Sequence, residues 1–471
     1  MLLRDLLSRV EHRLLDGSVD RPITSLTQDS RDAGPGSVFV AVRGARVDGH
    51  RFVESVQADA VVVEEPVPAP AGVTRIQVDD SRIALAGLAA NLHGHPSQAV
   101  DVVGITGTNG KTTTTWMLEA IARAAGHKVG VVGTTGNRID GEVLATRFTT
   151  PEAPEWQALL RAMVERGCGV VAAEISSIGL AARRVDRTRF AVAVYTNFSR
   201  DHLDVHGTME AYAAAKARLF QDFEVGRAVL NIDDPTVEAL LPLEVPVWTF
   251  GMAGGDLHAA KLASDIRGSR GVLTTPGGDL DFELSLAGAF NVENALAVAG
   301  AGLALGIEAA AISHGLAGLP QVPGRLERVD LDDLDVLVDY AHTPEALKTV
   351  LATLRPLTTG RLVVVFGCGG DRDRSKRPEM GRIACAGADV VVATSDNPRS
   401  EDPAAILAEV RAGLDASAEV VVDRREAIAR ALEIARPGDA VLIAGKGHET
   451  TQEIDGVRHP FDDRVVAREV R

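Results

Sequence analysis

From residue 99 onward the chain alternates short, continuous apolar runs with amphipathic stretches. The runs 100–106, 128–133, 170–176 and 190–197 show no polar alternation, and helical spacing fills segments such as 113–125 between them. Continuous apolar runs separated by helices predict parallel strands covered on both faces, joined by crossover helices. A second series starts near Pro323, with runs at 334–340, 362–367, 390–394, 420–422 and 440–444 and helices predicted over 343–354 and 425–435. Before residue 99 the pattern is looser. Strands are predicted at 38–42 and 60–63, a loop rich in Pro and Ala at 65–72, and a linker at 93–97. Apolar residues in the first 15 positions recur at helical spacing. The chain therefore predicts an α/β protein of three domains: a small one over 1–98, a central one over 99–322 and a C-terminal one over 323–471.

Composition narrows the class. At ~100–200 residues per domain, 471 residues suggest two to four domains. Aromatics are only 4%, so the cores must be built from Ala, Val and Leu. A formal net charge of -16 argues against nucleic acid or an anionic membrane as partner, although local arginines can still hold an anionic substrate. Cys168, Cys368 and Cys385 are widely spaced and odd in number, as expected of free thiols in a reducing compartment. Arg4, Asp5, Arg9, Glu11 and Arg13 interrupt any signal-peptide core, and no apolar run approaches the ~20 residues of a membrane span. The expectation is a cytoplasmic, monomeric protein, not inserted in a membrane, that acts on small molecules.

Candidate chemistry begins at the first strand of the central series. Gly107, Thr108, Asn109, Gly110, Lys111 and Thr112, followed by Thr113, lie between that strand and a helix. Glycines let backbone N–H groups close around phosphate oxygens, and a helix N-terminus adds positive potential. Lys111 would reach the β- and γ-phosphates of ATP, and Thr112 would hold Mg²⁺. Ile105 stands where the common phosphate-loop pattern has Gly, which sets this variant apart from GTPases and motor ATPases. The bland alternative is a Gly-rich turn without ligand.

Three residues downstream share this domain. Glu174 ends an apolar strand, His202 lies in Asn-Phe-Ser-Arg-Asp-His-Leu-Asp-Val-His, and Lys216 sits on a predicted helix. A carboxylate at a strand's C-terminal end beside a phosphate loop suits Mg²⁺. Taken one at a time, Glu174 reads equally as a surface ion pair, His202 as a capping residue and Lys216 as a solvated helix lysine.

Together, these motifs resemble the Mur ligase superfamily over nearly the whole chain. The resemblance implies a UDP-binding N-terminal domain, a central ATPase domain and a Rossmann-like C-terminal domain. It makes Lys111, Glu174, His202 and Lys216 catalytic, with Thr112, Glu174, His202 and a carbamylated Lys216 around Mg²⁺. A bare ammonium would be repelled by the metal, whereas a carbamate is an anionic oxygen ligand. The same resemblance places Asn294, Arg325, Asp339 and His342 near ATP.

It further implies ligation of diaminopimelate to UDP-N-acetylmuramoyl-L-alanyl-D-glutamate through an acyl phosphate. Ser30 and Ala45, Arg46 and Val47 would touch the uridine diphosphate end. Thr149, Thr150, Ser176 and Arg184 would hold the muramyl dipeptide. Asp396, Asn397, Pro398 and Arg399 follow a predicted strand, and Asn-Pro forces a turn where α/β sheets bind ligands. A guanidinium fork suits a carboxylate, and diaminopimelate differs from lysine by one. Arg372, Gly445 and Glu449 match the family's other contacts to the amino acid. Ile178 and Ala182 stand where the family often has His and Gln, a departure that bears on the muramyl-peptide contact. The rival readings are a sister ligase adding glutamate or a dipeptide, including a folylpolyglutamate-type enzyme, and a nucleotide-binding regulator without catalysis.

Overall fold

The computed structural model describes residues 1–44, 47–331 and 334–471. The first sheet has the strand order Arg13–Asp16, Thr74–Gln77, Ala60–Val63, Ser37–Val40, Ser25–Thr27, parallel except for the antiparallel first strand. Its side chains alternate between two cores: Val38, Val40 and Val62 pack on Leu85 and Leu88 of helix Ser81–Leu92, while Phe39, Val61 and Val63 pack on the other face. The helical periodicity expected over the first 15 residues lasts a single turn, Leu3–Leu6. Leu3, Leu6 and Leu7 are buried, Arg9 then takes a positive φ, and the chain turns into the edge strand Arg13–Asp16.

The stretch at 93–97 is anchored. His95 Nε2 lies 3.1 Å from Asn91 Oδ1, and Ser97 Oγ accepts from the Arg189 amide at 3.1 Å. This docks the end of the first unit on the central sheet. Ala153 packs into the first unit's core, and Arg82 Nη1 donates to the Ala182 carbonyl at 3.2 Å.

The central sheet has eleven strands. Its parallel part runs Val247–Gly251, Val225–Asn231, Phe190–Tyr195, Asp101–Thr106, Val170–Glu174, Val129–Val132. Both edges are antiparallel, so the sheet is mixed where continuous apolar runs alone predict a parallel one. The meander Leu257–Asp265, Gly268–Thr275 and Gly278–Leu284 extends one side, and Asn137–Ile139 with Glu142–Leu144 the other. Apart from the short, buried Asn137–Ile139, these edge strands have a solvated face, and their weaker alternating pattern is the reason they do not stand out in the chain. Helices Lys111–Ala124 and Ala289–Ala304 cover one face through Met117, Ile121, Ala295 and Val298; Trp156, Leu160, Leu219 and Phe220 cover the other.

Asp101–Thr106 lies in the middle of this sheet, and the chain order reverses there. Ligands bind beyond the carboxyl ends of strands at such a reversal. Here those ends deliver Gly107, Glu174 and Asn197 to one crevice.

The third sheet repeats the arrangement with Glu327–Leu331, Leu334–Asp339, Ala440–Ala444, Leu362–Cys368, Val390–Ser395 and Glu419–Val420, parallel apart from the first strand. Thr343 caps helix Pro344–Leu354 and Asp423 caps Arg424–Ile434. The carboxyl ends present Asp339, Gly369, Asp396 and Gly445. Ala287 and Phe290 of the central unit pack into this third core. Cys168, Cys368 and Cys385 are free, the first two buried and the third half-buried. Among the described residues no helix is long and apolar enough to cross a membrane.

Candidate active site

The phosphate loop is held by the residues that follow the neighbouring strand Phe190–Tyr195. Thr108 N donates to the Asn197 carbonyl at 2.8 Å and Asn109 N to Asn197 Oδ1 at 2.9 Å, while Thr196 Oγ1 donates to the Asn109 carbonyl at 2.6 Å. A Cβ at Gly107 would meet Thr196 Oγ1 at 1.9 Å, and one at Gly110 would meet Asn294 Oδ1 at 2.5 Å, so both positions exclude a side chain. Thr114 Oγ1 donates to Asn294 Oδ1 at 3.3 Å, which seats Asn294 against the loop. Lys111 Nζ donates to the carbonyls of Gly107 and Thr108, both at 2.8 Å, and curls over the loop. Desolvation lowers its proton affinity, opposed by Glu174 and Asp201. Thr112 and Thr113 are buried at the helix start.

Glu174 is buried at its strand's end and accepts from Thr134 N at 2.9 Å and from Thr134 Oγ1 at 3.0 Å. Lys216, expected from spacing to be solvated, is 1% exposed. Its Nζ donates to the same Gly107 carbonyl at 2.7 Å and lies 4.5 Å from the centre of the Tyr212 ring. Among the described residues no carboxylate pairs with it. Burial, reinforced by Lys111, drives its proton affinity well below that of an ordinary lysine. His202 adopts a positive φ ahead of the short turn Leu203–His206, 44% of its side chain is exposed, and its Nε2 is 3.6 Å from Asp201 Oδ2. Desolvation keeps its imidazole more readily neutral than usual.

The joint between the second and third sheets brings Arg325 onto this loop. Arg325 Nη2 donates to Thr112 Oγ1 at 3.2 Å, and its guanidinium lies 4.9 Å from the centre of the Tyr340 ring. Asp339 is consumed locally: its two oxygens accept from the amides of Leu326 and Ala341, each at 2.8 Å. It thus shapes the turn that carries Arg325. His342 stacks on Tyr340 at 4.6 Å, and its carbonyl accepts from Lys376 Nζ at 2.9 Å. Tyr340 also faces the ring of His448 at 5.1 Å, next to Glu449.

The turn 396–399 is built as a rigid unit. Asn397 Nδ2 donates to Glu449 Oε2 at 2.7 Å, and Arg399 Nη1 donates to the Gly370 carbonyl at 2.6 Å. Hairpin Thr451–Ile454 and Val457–Pro460 braces it. Gln452 Nε2 donates to the Asp396 carbonyl at 2.7 Å, and Arg399 N donates to the Glu453 carbonyl at 2.9 Å. One oxygen of Asp396 is buried without a partner, facing Gly445. Pro398 follows Asn397 in this turn, and Arg372 is exposed on the adjoining loop. Among the described residues, neither Arg372 nor Arg399 is paired with a carboxylate.

Of the remaining predicted residues, Thr149, Thr150, Ser176 and Arg184 lie together beside Glu174. Thr134 Oγ1 lies 3.0 Å from Thr149 Oγ1; Thr150 Oγ1 is 2.9 Å from the Glu174 carbonyl and 3.1 Å from Ser176 Oγ. Ser176 caps helix Ser177–Ala181. Arg184 donates to the Thr150 carbonyl at 2.9 Å and pairs with Glu152 at 2.8 Å. Ser30 is half-buried in the turn after Asp29, and Val47 is 46% exposed at a loop tip. Ala45 and Arg46 lie outside the described residues. Motif reading passed over Thr134, Thr196, Asn197 and Lys446; the position of Asn197 at the head of the His202 motif was the available signal for it.

A phosphate loop, a buried acid and lysine beside it, and a turn carrying an arginine without a carboxylate partner on a second Rossmann-like sheet fit an ATP-dependent ligase. The chain belongs to the Mur ligase family: the Mur ligase middle domain matches residues 105–302, the glutamate ligase domain 324–447, and the family's catalytic domain 22–93. The UDP-N-acetylmuramoyl-L-alanyl-D-glutamate--2,6-diaminopimelate ligase of Geobacter metallireducens is 44% identical over 98% of this chain and 97% of that protein. The enzyme of the same name from Gloeobacter violaceus is 46% identical over 96% and 94%. A solved structure of a ligase of that name superposes with a TM-score of 0.73 at 36% identity, covering all of this chain and 98% of the other.

Proposed function

We infer that this chain joins diaminopimelate to UDP-N-acetylmuramoyl-L-alanyl-D-glutamate with consumption of ATP, as a cytoplasmic step in making the peptidoglycan precursor. The observation that carries the reading is Arg325 on Thr112, which ties the entry turn of the third sheet to the phosphate loop. The nucleotide carboxylate attacks the γ-phosphate, ADP leaves, and an acyl phosphate forms. The amine of diaminopimelate then adds to the carbonyl, and phosphate departs from the tetrahedral intermediate.

In this reading Lys111 and the amides of residues 107–112 hold the triphosphate, and Arg325 offsets charge on the transferring phosphoryl group. The donor set fits Mg²⁺: Glu174 keeps lone pairs beyond its two bonds to Thr134, and the Thr112 hydroxyl and His202 stand on neighbouring turns. Among the described residues there is no cluster of three or more His, Cys, Asp and Glu. Mg²⁺ needs few protein ligands, because it keeps waters and leans on substrate phosphates. Bound there, the ion would neutralise charge on the transferring phosphoryl group.

Lys216 is suited to carbamylation. A buried lysine that readily loses its proton presents a free amine, which adds to CO₂, forming an N–C bond and releasing one proton. In this reading Thr149, Thr150, Ser176 and Arg184 hold the muramyl dipeptide, and Ser30 and Val47 its uridine end. Arg372, Arg399 and Glu449 receive diaminopimelate. The test is phosphate release with ATP, the UDP-muramyl dipeptide and a panel of amino acids. Release with diaminopimelate above lysine and glutamate is expected. Release driven best by glutamate would favour a folylpolyglutamate-type enzyme instead.

A further inference from the structure

Lys446 sits at the centre of the amino-acid loops and is 0% exposed. A buried ammonium is tolerated only when its donors are matched. All three are: Nζ donates to Asn397 Oδ1 at 3.0 Å, to Glu449 Oε2 at 3.2 Å and to the Thr451 carbonyl at 2.7 Å. One side chain thus ties together the turn 396–399, the loop after Ala440–Ala444 and the bracing hairpin.

We propose that Lys446 is the positioning residue that presets Asn397 and Glu449 for the incoming amino acid. The assignment rests on the diaminopimelate site inferred above. Two geometric consequences support it. The Asn397 amide has its orientation fixed, because its oxygen accepts from both Lys446 and the Glu453 amide at 3.0 Å, leaving Nδ2 to donate to Glu449. Glu449 is divided in the same way. Oε2 is held by Lys446 and Asn397, while Oε1 accepts no hydrogen bond among the described residues, on a side chain that is 32% exposed. One oxygen is anchored by two donors and the other is left to accept, as a receptor for a substrate ammonium requires. Without Lys446, Asn397 Oδ1 would keep only the Glu453 amide and Glu449 Oε2 only the Asn397 amide, so the hold on both is weakened.

The test is steady-state kinetics of the full-length enzyme with Lys446→Met, Lys446→Arg, Glu449→Ala and Asn397→Ala. Lys446→Met keeps the length and removes the charge. It should raise the diaminopimelate KM by ~10-fold or more, because the inner oxygen of Glu449 loses its ammonium partner, while the KM for ATP stays within about twofold. Combining Lys446→Met with Glu449→Gln should cost less than the two single effects multiplied, since the unpaired charge is then gone. A purely structural lysine would instead lower the melting temperature and depress kcat with every substrate alike. If Lys446→Met fails to fold, Lys446→Arg supplies the readout: the charge is kept but the three-way geometry is not, so the diaminopimelate KM should still rise selectively. An unchanged KM in the Lys446 variants beside a raised one in Glu449→Ala and Asn397→Ala would overturn the role of Lys446 alone. An unchanged KM in Glu449→Ala and Asn397→Ala would overturn the site itself.

Discussion

Arg325 Nη2 meets Thr112 Oγ1 at 3.2 Å, so a side chain from the third sheet's entry turn touches the second residue of the phosphate-loop helix. The contact crosses the joint between two separately built cores. On the proposed ATP site, Arg325 would face the place where phosphoryl charge develops. Arg325→Ala should lower kcat/KM for ATP by roughly 10²–10³-fold, the usual cost of one aimed donor. Binding of diaminopimelate to the enzyme, followed by calorimetry, should persist. Wild-type turnover in this variant would mean that the arginine only braces the hinge.

Lys216 and Lys111 donate to the same carbonyl, that of Gly107, at 2.7 and 2.8 Å. Two ammonium groups converging on one oxygen is a poor arrangement unless one is modified or neutral. Lys216→Ala should reduce turnover by at least ~10²-fold, with partial recovery in added formate or acetate, which restores an anionic oxygen. Intact-protein mass spectrometry under mild conditions should show one added CO₂ on the wild type and none on the variant. Full activity of Lys216→Ala without rescue would remove the carbamate from the mechanism.

Glu401 binds the fully buried Arg377, with contacts of 2.7 and 3.0 Å, and its carboxyl is held down at about 2 against an ordinary 4.5, chiefly by that guanidinium. A depressed carboxylate stabilises the fold above its unfolded value, and that contribution fades as pH falls from about 4.5 toward about 2. Glu401→Gln should therefore melt at a lower temperature than wild type at pH 7. The difference should shrink steadily below pH 4.5. A gap independent of pH would show that packing, not charge, holds this corner.

Much of the scaffold is visible in the chain because both sheets are buried on two faces. The run 440–444 coincides with strand Ala440–Ala444, and 170–176 overshoots Val170–Glu174 by two residues. The antiparallel meander from Leu257 to Leu284 escaped notice because a half-solvated edge leaves only a weak alternation. Motif reading singled out Lys111, Glu174, Lys216 and Arg399, yet not what holds them. Arg377, Arg424 and Lys446 look like solvated charges from their neighbours in the chain, but each is buried against a partner supplied by another segment. That information is carried by tertiary pairing, which local spacing does not contain.

Arg424 shows how such a partner supports the site. Its guanidinium binds both oxygens of Asp463, at 2.8 and 2.7 Å, and donates to the carbonyls of Ser395 at 3.2 Å and Ala444 at 3.0 Å. Those carbonyls immediately precede Asp396 and Gly445, so the pair registers two substrate loops. Both side chains are 0% exposed. Asp463→Ala leaves an uncompensated buried cation and should cost about 3–5 kcal/mol in chemical denaturation of the C-terminal unit. A loss below about 1 kcal/mol would indicate that water reaches Arg424.

Substrate choice is the sharpest consequence of the third sheet. Arg399 is fixed at both ends: its backbone, at a positive φ of 54°, is paired with the hairpin, and Nη1 donates to the Gly370 carbonyl at 2.6 Å. The rest of its guanidinium, and that of Arg372, has no carboxylate partner among the described residues. A fixed cation without an internal counter-ion is matched by the distal carboxylate of diaminopimelate, which lysine lacks. A site built around such a polar contact rejects the analogue missing it by ~10⁴–10⁵, because the buried group is then left unpaired. Arg399→Ala should raise the diaminopimelate KM and sharply narrow the preference over lysine, while ATP binding remains intact. The same comparison in Arg372→Ala apportions the carboxylate between the two arginines. If lysine is rejected as strongly by Arg399→Ala as by wild type, recognition of the distal carboxylate does not run through the 396–399 turn.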